Sequence, residues 1–548
     1  ERLCGSLCDA LLGGTDSQSI LEYLDQSNLF LIPLDDERKW YRYHHLFADL
    51  LQARLRRQVG ETEISRLHRE AAQWYEANHD AKQAINHALA GGDLERAAHI
   101  VERNTLTLLT HGELAPLLAW IKSLPDSLVS ERPWLCVEQG WALAFSGQLA
   151  AAEALLVQAE KVAAGKELQR LHGHITAQRG YLALTLQQDA RAIELANRAS
   201  HILPENDYWV RTVVEWTRGY ILRAMGDLDG AAQAFNEQIH LAHACDNVWA
   251  YLMAVYDLAA VYRIQGQLNR AAELFQEALT SERVRKLGNL SYAGRVEAGF
   301  ASVRYEQNQL EEAIQLIRSS IEKNHLWQNP NHILLSQAIH ARILIALGDI
   351  QGAQEALRQA LEIQNRTPIV RTVTTLIQTI QARLWFLRGD LDAVDEWLLL
   401  GESPHANNPE NREPQHIIRA RWLVYRGQEK EAISRLEELE QSAGQDGRVS
   451  SWIEIQGLLA VAHHASGDIA QACAALDRAL ARGAQDGCMR VFLDEGEPMR
   501  HLLVEYRTLR MGQSPQLVAY TNRLLDAFAA EKSILRIPEP AKAAIAKT

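Results

Sequence analysis

Gly226-Asp227-Leu228-Asp229-Gly230-Ala231-Ala232-Gln233-Ala234-Phe235 is one of ten related copies spread along the chain. Gly266-Gln267-Leu268 with Ala271 and Phe275 stands one period further on, and Gly348-Asp349-Ile350, Gly427-Gln428 and Gly467-Asp468-Ile469 continue the pattern. Weaker copies stand at Gly92, Gly147, Gln187, Asn308 and Gly389. After the first copy the turns recur at a nearly constant period of about 40 residues, within the range that marks repeat architectures. Seven residues before the turn stand Gly140, Gly180, Gly219, Ala259, Ala301, Ala341, Ala382, Ala420 and Ala460, and five after it stands Ala in nine of the ten copies. Small residues at both points let the helices before and after the turn approach closely, and Gly at the turn supplies the left-handed exit from a helix. Gly219, Ala231 and Phe235 reproduce the small-residue and Phe skeleton of the tetratricopeptide helix–turn–helix, whose period is about 34 residues. The longer period here predicts longer helices or loops in an all-α superhelical solenoid.

A solenoid grows by adding units, so 548 residues need not mean three or four separate globules. Hydrophobic residues make up 47% and charged residues 23%, a balance that reads as soluble and folded. No apolar run of about 18 residues exists to span a bilayer. The first residue is Glu1 and no signal segment follows, so the chain reads as an excised piece of a longer cytoplasmic protein. Cys4, Cys8, Cys136, Cys245, Cys473 and Cys488 are scattered and read as reduced thiols; Cys4-x-x-x-Cys8 lacks the second pair a zinc site needs. A net charge of −13 argues against direct binding to nucleic acid, because phosphate contacts need a basic face.

Residues 1–60 differ from the rest. Leu3 to Leu11 and Ser19 to Leu24 are predicted helices, with Ser17 and Ser19 as candidate caps. The apolar Leu29 to Leu34, the polar Asp35-Asp36-Glu37-Arg38 and the alternating Trp40-Tyr41-Arg42-Tyr43 predict a hairpin, and a helix from His45 through Leu55 closes a small winged-helix domain. Residues 61–130 form a helical connector and first repeat, 131–500 the solenoid, and 501–548 a helical cap and tail. Gly401 to Pro409, running on to Pro414, predicts a loop between repeats because three prolines and three asparagines crowd it.

Asn28-Leu29-Phe30-Leu31 followed by Trp40-Tyr41-Arg42-Tyr43-His44-His45-Leu46-Phe47-Ala48-Asp49-Leu50-Leu51 resembles the end of the ATPase module in MalT-like regulators, large ATP-dependent transcription activators of the LuxR class among the signal-transduction NTPases. Arg490-Val491-Phe492-Leu493-Asp494-Glu495-Gly496-Glu497-Pro498-Met499 is similar to the segment that closes their solenoid. The resemblance implies the order nucleotide-binding domain, winged helix, solenoid, helix-turn-helix. It also implies ATP or ADP as cofactor of the full-length protein, though not of this piece, which lacks a G-x-x-x-x-G-K-[ST] loop. Implied partners are a small-molecule or protein inducer, the chain's own nucleotide-binding domain, DNA only through a missing C-terminal domain, and further copies in ligand-dependent self-association; no membrane is implied. The best-known inducer of such regulators is a maltodextrin. On this resemblance His44, spaced from Phe47 and Asp49 as His-x-x-Phe-x-Asp, is a candidate to sense bound nucleotide; the plainer reading is that it caps the helix that follows.

In a tetratricopeptide-like unit the first helix lines the concave groove. Residues three, six and ten before the turn share one face of that helix. Six before gives Trp141, Tyr181 and Tyr220, later Arg342, Arg383 and Arg421; ten before gives Trp216 and Tyr256; three before gives Arg223, Arg263 and Tyr305. Aromatic faces stack on sugar rings, bases or apolar side chains, and Arg forks carboxylates or phosphates. These residues form the candidate ligand-binding face, although aromatics at this spacing also pack between repeats and Arg also pairs with Glu of a neighbour. No G-x-S-x-G or H-E-x-x-H occurs, so an enzyme is not expected. The leading expectation is an inducer-sensing and signal-coupling region; the alternative is a tetratricopeptide scaffold for protein interaction with no transcriptional role.

Overall fold

The computed structural model describes residues 2–110, 114–163, 168–286, 293–327, 329–366, 371–399, 409–510 and 515–531. They fall into two compact units, one ending at Val210 and one beginning at Arg211.

The first unit opens with helices Gly5–Leu12 and Ser17–Gln26, then strands Leu31–Pro33 and Tyr41–Tyr43. The strands pair antiparallel in the register Leu31↔Tyr43, Ile32↔Arg42, Pro33↔Tyr41, and Leu3 bridges to Tyr41. The hairpin closes on Asp35, whose carboxylate accepts the N–H groups of Lys39 at 2.8 Å and Trp40 at 3.0 Å. Leu21, Leu31 and Tyr41 form its core. Neither serine caps the second helix: Asp16 holds the N-cap position, and the Ser17 N–H donates to the Asp9 carboxylate at 3.1 Å. A carboxylate offers a stronger acceptor there than a hydroxyl does. Helix His45–Ala77 runs past the predicted end at Leu55 and breaks at Gly60, with φ 75° and ψ 166°, a conformation Gly adopts without a Cβ clash. Beyond that break, repeat helices follow in pairs, Pro133–Phe145 with Leu149–Val162 and Leu168–Thr185 with Asp189–Ile202.

The second unit continues the array from Leu228–Ala244 to Val449–Ser466 and Ile469–Asp486, with Glu497–Leu509 and Pro515–Ala530 after it. Each Gly of the predicted turns takes positive φ, from 69° at Gly92 to 89° at Gly226. Gln187 at 59° and Asn308 at 61° adopt it too, so the backbone conformation repeats even where Gly does not. At several of the turns the following Asp caps the next helix: Asp227 accepts from Gly230 N–H at 2.9 Å, Asp349 from Gly352 at 2.8 Å and Asp468 from Gln471 at 3.1 Å. Each such cap contributes about 1 kcal/mol. The Ala five residues on is fully buried in every copy that has one, and Val394 is buried where it replaces Ala. Gly219 lies under the Phe235 ring, where an added Cβ would come within 2.6 Å. The fold class is thus a tetratricopeptide-like solenoid behind a winged helix.

Within this unit the array returns on itself. Residues from Ala242 to Val303 and from Ile417 to Phe528 share one apolar core, while Leu334 to Leu384 pack in a separate cluster. The Asn269 N–H donates to Asp486 at 3.1 Å, and Met489 N–H donates to the Glu306 carbonyl at 2.9 Å. The predicted loop divides: Gly401 to Asn408 lie outside the described residues, but Pro409–Tyr425 is helical and includes Pro414. Proline's fixed φ suits Pro409 at the first helical position, whereas Pro414 lies inside the helix and gives up one i→i−4 hydrogen bond. The tail from Ile534 to Thr548 also lies outside the described residues.

Candidate functional site

In the first unit, Trp141 is 0% exposed, with Phe145 at 5.5 Å, Tyr181 at 6.1 Å and Trp209 at 5.5 Å between ring centroids. Burial pushes the Tyr181 phenol up to about 12. Trp141 is therefore enclosed by its own aromatic neighbours. Its indole N–H has no acceptor among the described residues, and both polar atoms of the buried Gln178 amide, which lies against Gly140, are likewise unmatched. Glu138, one turn before Trp141, has its carboxyl pushed well up, first by burial and then by the charge of Glu102. An unmatched buried polar group costs about 1–3 kcal/mol.

In the second unit the predicted residues meet across successive repeats. Trp216 donates its indole N–H to Asp257 at 3.0 Å, and its ring lies 5.7 Å from Tyr220. Arg223 covers Tyr220 at 5.2 Å and stands 3.6 Å from Asp257. Arg295, from the next repeat, reaches Asp257 at 3.2 Å and covers the Tyr256 ring at 4.1 Å. Arg263 donates to Glu306 at 3.0 Å. Asp257 is wholly buried, whereas Trp216, Tyr220, Arg223, Tyr256 and Arg263 remain half-buried, with solvent on one side. Sequence spacing marked the aromatics and arginines but missed Asp257 and Arg295. Asp257 stands next to the marked Tyr256, one residue away from the positions chosen.

The arginine half meets the chain's own acids. Asp494 receives the Tyr305 hydroxyl at 2.5 Å and Arg383 at 2.6 Å, and it also pairs with Arg490. Arg421 grips Glu495 at 2.6 Å and Glu454 at 2.5 Å. Burial alone would raise the Asp494 carboxyl; Arg383 and Arg490 outweigh it and hold the group well below the usual carboxylate range. Arg342 stacks on the Tyr305 ring at 4.4 Å and makes no ion pair with a described residue. Arg383 and Arg421, both marked by the spacing, pair with carboxylates here. The carboxylates belong to the closing segment: Glu495 is 74 positions along the chain from Arg421, and Asp494 is 111 from Arg383.

His44 stands at the N-cap of helix His45–Ala77; its carbonyl accepts the Ala48 N–H at 2.9 Å, and its own N–H donates to the Phe30 carbonyl at 2.8 Å. Its ring is exposed and lies 4.3 Å from that of His45. The backbone therefore does the capping, and the imidazole faces solvent. Among the described residues no group of three or more His, Cys, Asp or Glu is arranged to hold a metal ion.

Residues 173–509 match the family model of the MalT-like TPR region, and residues 1–63 match the MalT winged helix domain. The HTH-type transcriptional regulator MalT of Klebsiella pneumoniae subsp. pneumoniae is 26% identical over 506 residues, which cover 91% of this chain and 56% of that protein. MalT of Cronobacter sakazakii is 27% identical over 513 residues, again 91% of this chain and 56% of that protein. The chain spans about half the length of these curated relatives. Among solved structures, a signal transduction ATPase with numerous domains and a tetratricopeptide repeat sensor, from Pyrococcus horikoshii, aligns with a TM-score of 0.50 at 13% identity. That alignment covers 77% of this chain and 61% of the other, a likeness of fold.

Proposed function

The chain belongs to the MalT-like TPR family, and on that premise we propose that it is the inducer-sensing and signal-coupling region of an ATP-dependent transcriptional activator. The observation that carries this reading is the half-buried ladder from Trp216 through Tyr220, Arg223 and Tyr256 to Arg263, in which consecutive repeats present rings and guanidinium groups on one face. A small molecule or a segment of protein bound there touches several repeats at once, so its binding energy responds to the curvature of the array. Binding moves an equilibrium only if it differs between the two states, and a ligand that spans repeats meets that condition. The chain acts in this reading by binding rather than catalysis.

The winged helix couples the solenoid to a nucleotide-binding domain of the longer protein. Leu12, Tyr23, Leu46 and Leu50 are 76%, 67%, 68% and 62% exposed and offer apolar surface to that domain. His44 lies in the same domain with its ring in solvent and is the residue through which bound ADP would be read. DNA is reached through a separate domain. No described helix is long and apolar enough to cross a membrane.

Titration calorimetry with sugars, nucleotides and candidate regulatory proteins tests the sensing reading. Trp216→Ala with Tyr220→Ala should abolish the affinity found for the wild-type chain while leaving its helical circular dichroism intact. An unchanged affinity in that variant removes the ladder as the binding face. The coding sequence on either side separates a regulator, with a phosphate-binding loop upstream and a helix-turn-helix downstream, from a plain scaffold.

A further inference from the structure

Two consecutive carboxylates, Asp494 and Glu495, are gripped by side chains from three different repeats. Tyr305 lies on helix Ala293–Glu306, Arg383 on Arg371–Arg388 and Arg421 on Pro409–Tyr425. Arg383 adds a second bond, to the Asp494 carbonyl at 3.0 Å. The short helix Arg490–Leu493 delivers the acids, and Gly496, at φ 67°, turns the chain away into Glu497–Leu509. Arg490 ties the same segment to Asn308 at 3.2 Å and to Glu531 at 2.5 Å. A tetratricopeptide face thus holds an acidic peptide, and the peptide is its own.

We propose that Asp494 and Glu495 form a releasable clasp that keeps the second unit in its closed ring, and that acidic groups of a ligand open it by taking Arg383 and Arg421. The trigger rests on the sensing function proposed above; the clasp itself does not. The clasp's two sides differ in access: the side chains of Arg383 and Arg421 keep 22% and 23% of their surface in solvent, while Asp494 and Glu495 keep 5% and 6%. A competitor therefore reaches the guanidinium groups before the carboxylates are uncovered. Arg342, stacked on Tyr305 at 4.4 Å, adds a third guanidinium group beside them. The bonds across the closure join residues far apart in the chain, whereas Leu228, Ala231, Phe235, Leu258 and Val261 form a core inside their own repeats. The charge clasp can therefore open while repeats such as these stay folded. An apolar contact between Val248–Ile264 and Val449–Ser466 supports the same closure without depending on charge.

Hydrogen exchange and small-angle scattering on the full chain test this without an inducer. In D494N with E495Q, amides of residues 488–496 and 299–308 should exchange at least about tenfold faster and the radius of gyration should rise, while helices Leu228–Ala244 and Ile350–Gln364 keep wild-type protection. Wild-type exchange at 488–496, or an equal loss of protection throughout the unit, would overturn the clasp. E495Q alone, which leaves Asp494 and its donors in place, gives the same reading if the double variant does not fold. The trigger is tested with a capped heptapeptide of residues 490–496 at millimolar concentration. It should speed exchange at 488–496 in the wild-type chain, while its Asn-Gln counterpart should not; equal effects, or none, remove the ligand-driven step. Loss of affinity at Trp216 and Tyr220 is read separately, so failure of the clasp and failure of the sensing face are told apart.

Discussion

Tyr305 donates its phenolic hydrogen to Asp494 across 2.5 Å, although 189 residues separate them along the chain. Both are buried, and the Arg342 and Arg490 guanidinium groups cover the Tyr305 ring at 4.4 and 5.5 Å. The hydroxyl therefore solvates a carboxylate that water hardly reaches, and burial together with Asp494 pushes the phenol's own ionisation up.

Tyr305→Phe keeps the ring and removes only that donor. A hydrogen bond to a charged group contributes about 1.5–3 kcal/mol, and Arg383 and Arg490 remain to hold the acid. Urea unfolding of the second unit should show a midpoint lowered to match, at unchanged slope. No shift would mean that the hydroxyl adds nothing to the ion pairs.

Asp207 accepts three hydrogen bonds from Arg170, at 2.8, 2.9 and 3.0 Å, and lies 3.3 Å from His174. Burial would raise its carboxyl, but the histidine and arginine bring it down to about 2. Its unfolded value is about 3.9. A depressed carboxyl stabilises fully above the unfolded value and loses that contribution as pH falls through the folded one. The stability difference between wild type and Asp207→Asn should be constant above about pH 5 and shrink between about pH 4 and 2. A difference that is flat across that interval would disprove the assignment.

Glu138 titrates with the opposite sign. Its carboxyl is raised, so folding takes up a proton between the unfolded value of about 4.3 and the higher folded one, and stability declines as pH rises through that interval. Glu138→Gln carries no such penalty. Thermal melts should place the variant above wild type at pH 8 and bring the two together near pH 4.

The repeat turn separates two effects. Asp227→Ala removes a cap whose acceptor sits 2.9 Å from Gly230 N–H and should cost about 1 kcal/mol. Gly219→Ala pushes a methyl group into Phe235 at 2.6 Å and should cost about 1–3 kcal/mol, because the ring must shift inside a packed core. Denaturant midpoints rank the two; a milder effect for Gly219→Ala would show that Phe235 moves freely.

Most of the architecture was legible because it is local and periodic. Gly226, Ala231 and Gly219 act within a single helix–turn–helix, and regular recurrence along the chain turned a weak signal into a strong one. The hairpin at Leu31 to Tyr43 was equally readable, since alternation and a polar turn are short-range patterns. Pro414 was misjudged because composition weighs a proline without knowing its place in the helix.

The candidate face was legible only in part. Helical period placed Arg342, Arg383 and Arg421 together, but the identity of their counter-ions depends on which distant segment returns to them. Asp494 and Glu495 carry no periodic mark, and nothing in their neighbourhood names Tyr305 or Arg421. The amino-acid order by itself determined the repeat, its turns and the face each first helix presents, because hydrogen bonding and side-chain spacing act over a few residues. Only the tertiary structure decided that Trp141 is enclosed and that the arginines hold the chain's own acids. Superhelical closure and long-range charge pairing sum small geometric offsets over many repeats, and no single stretch of sequence contains that sum.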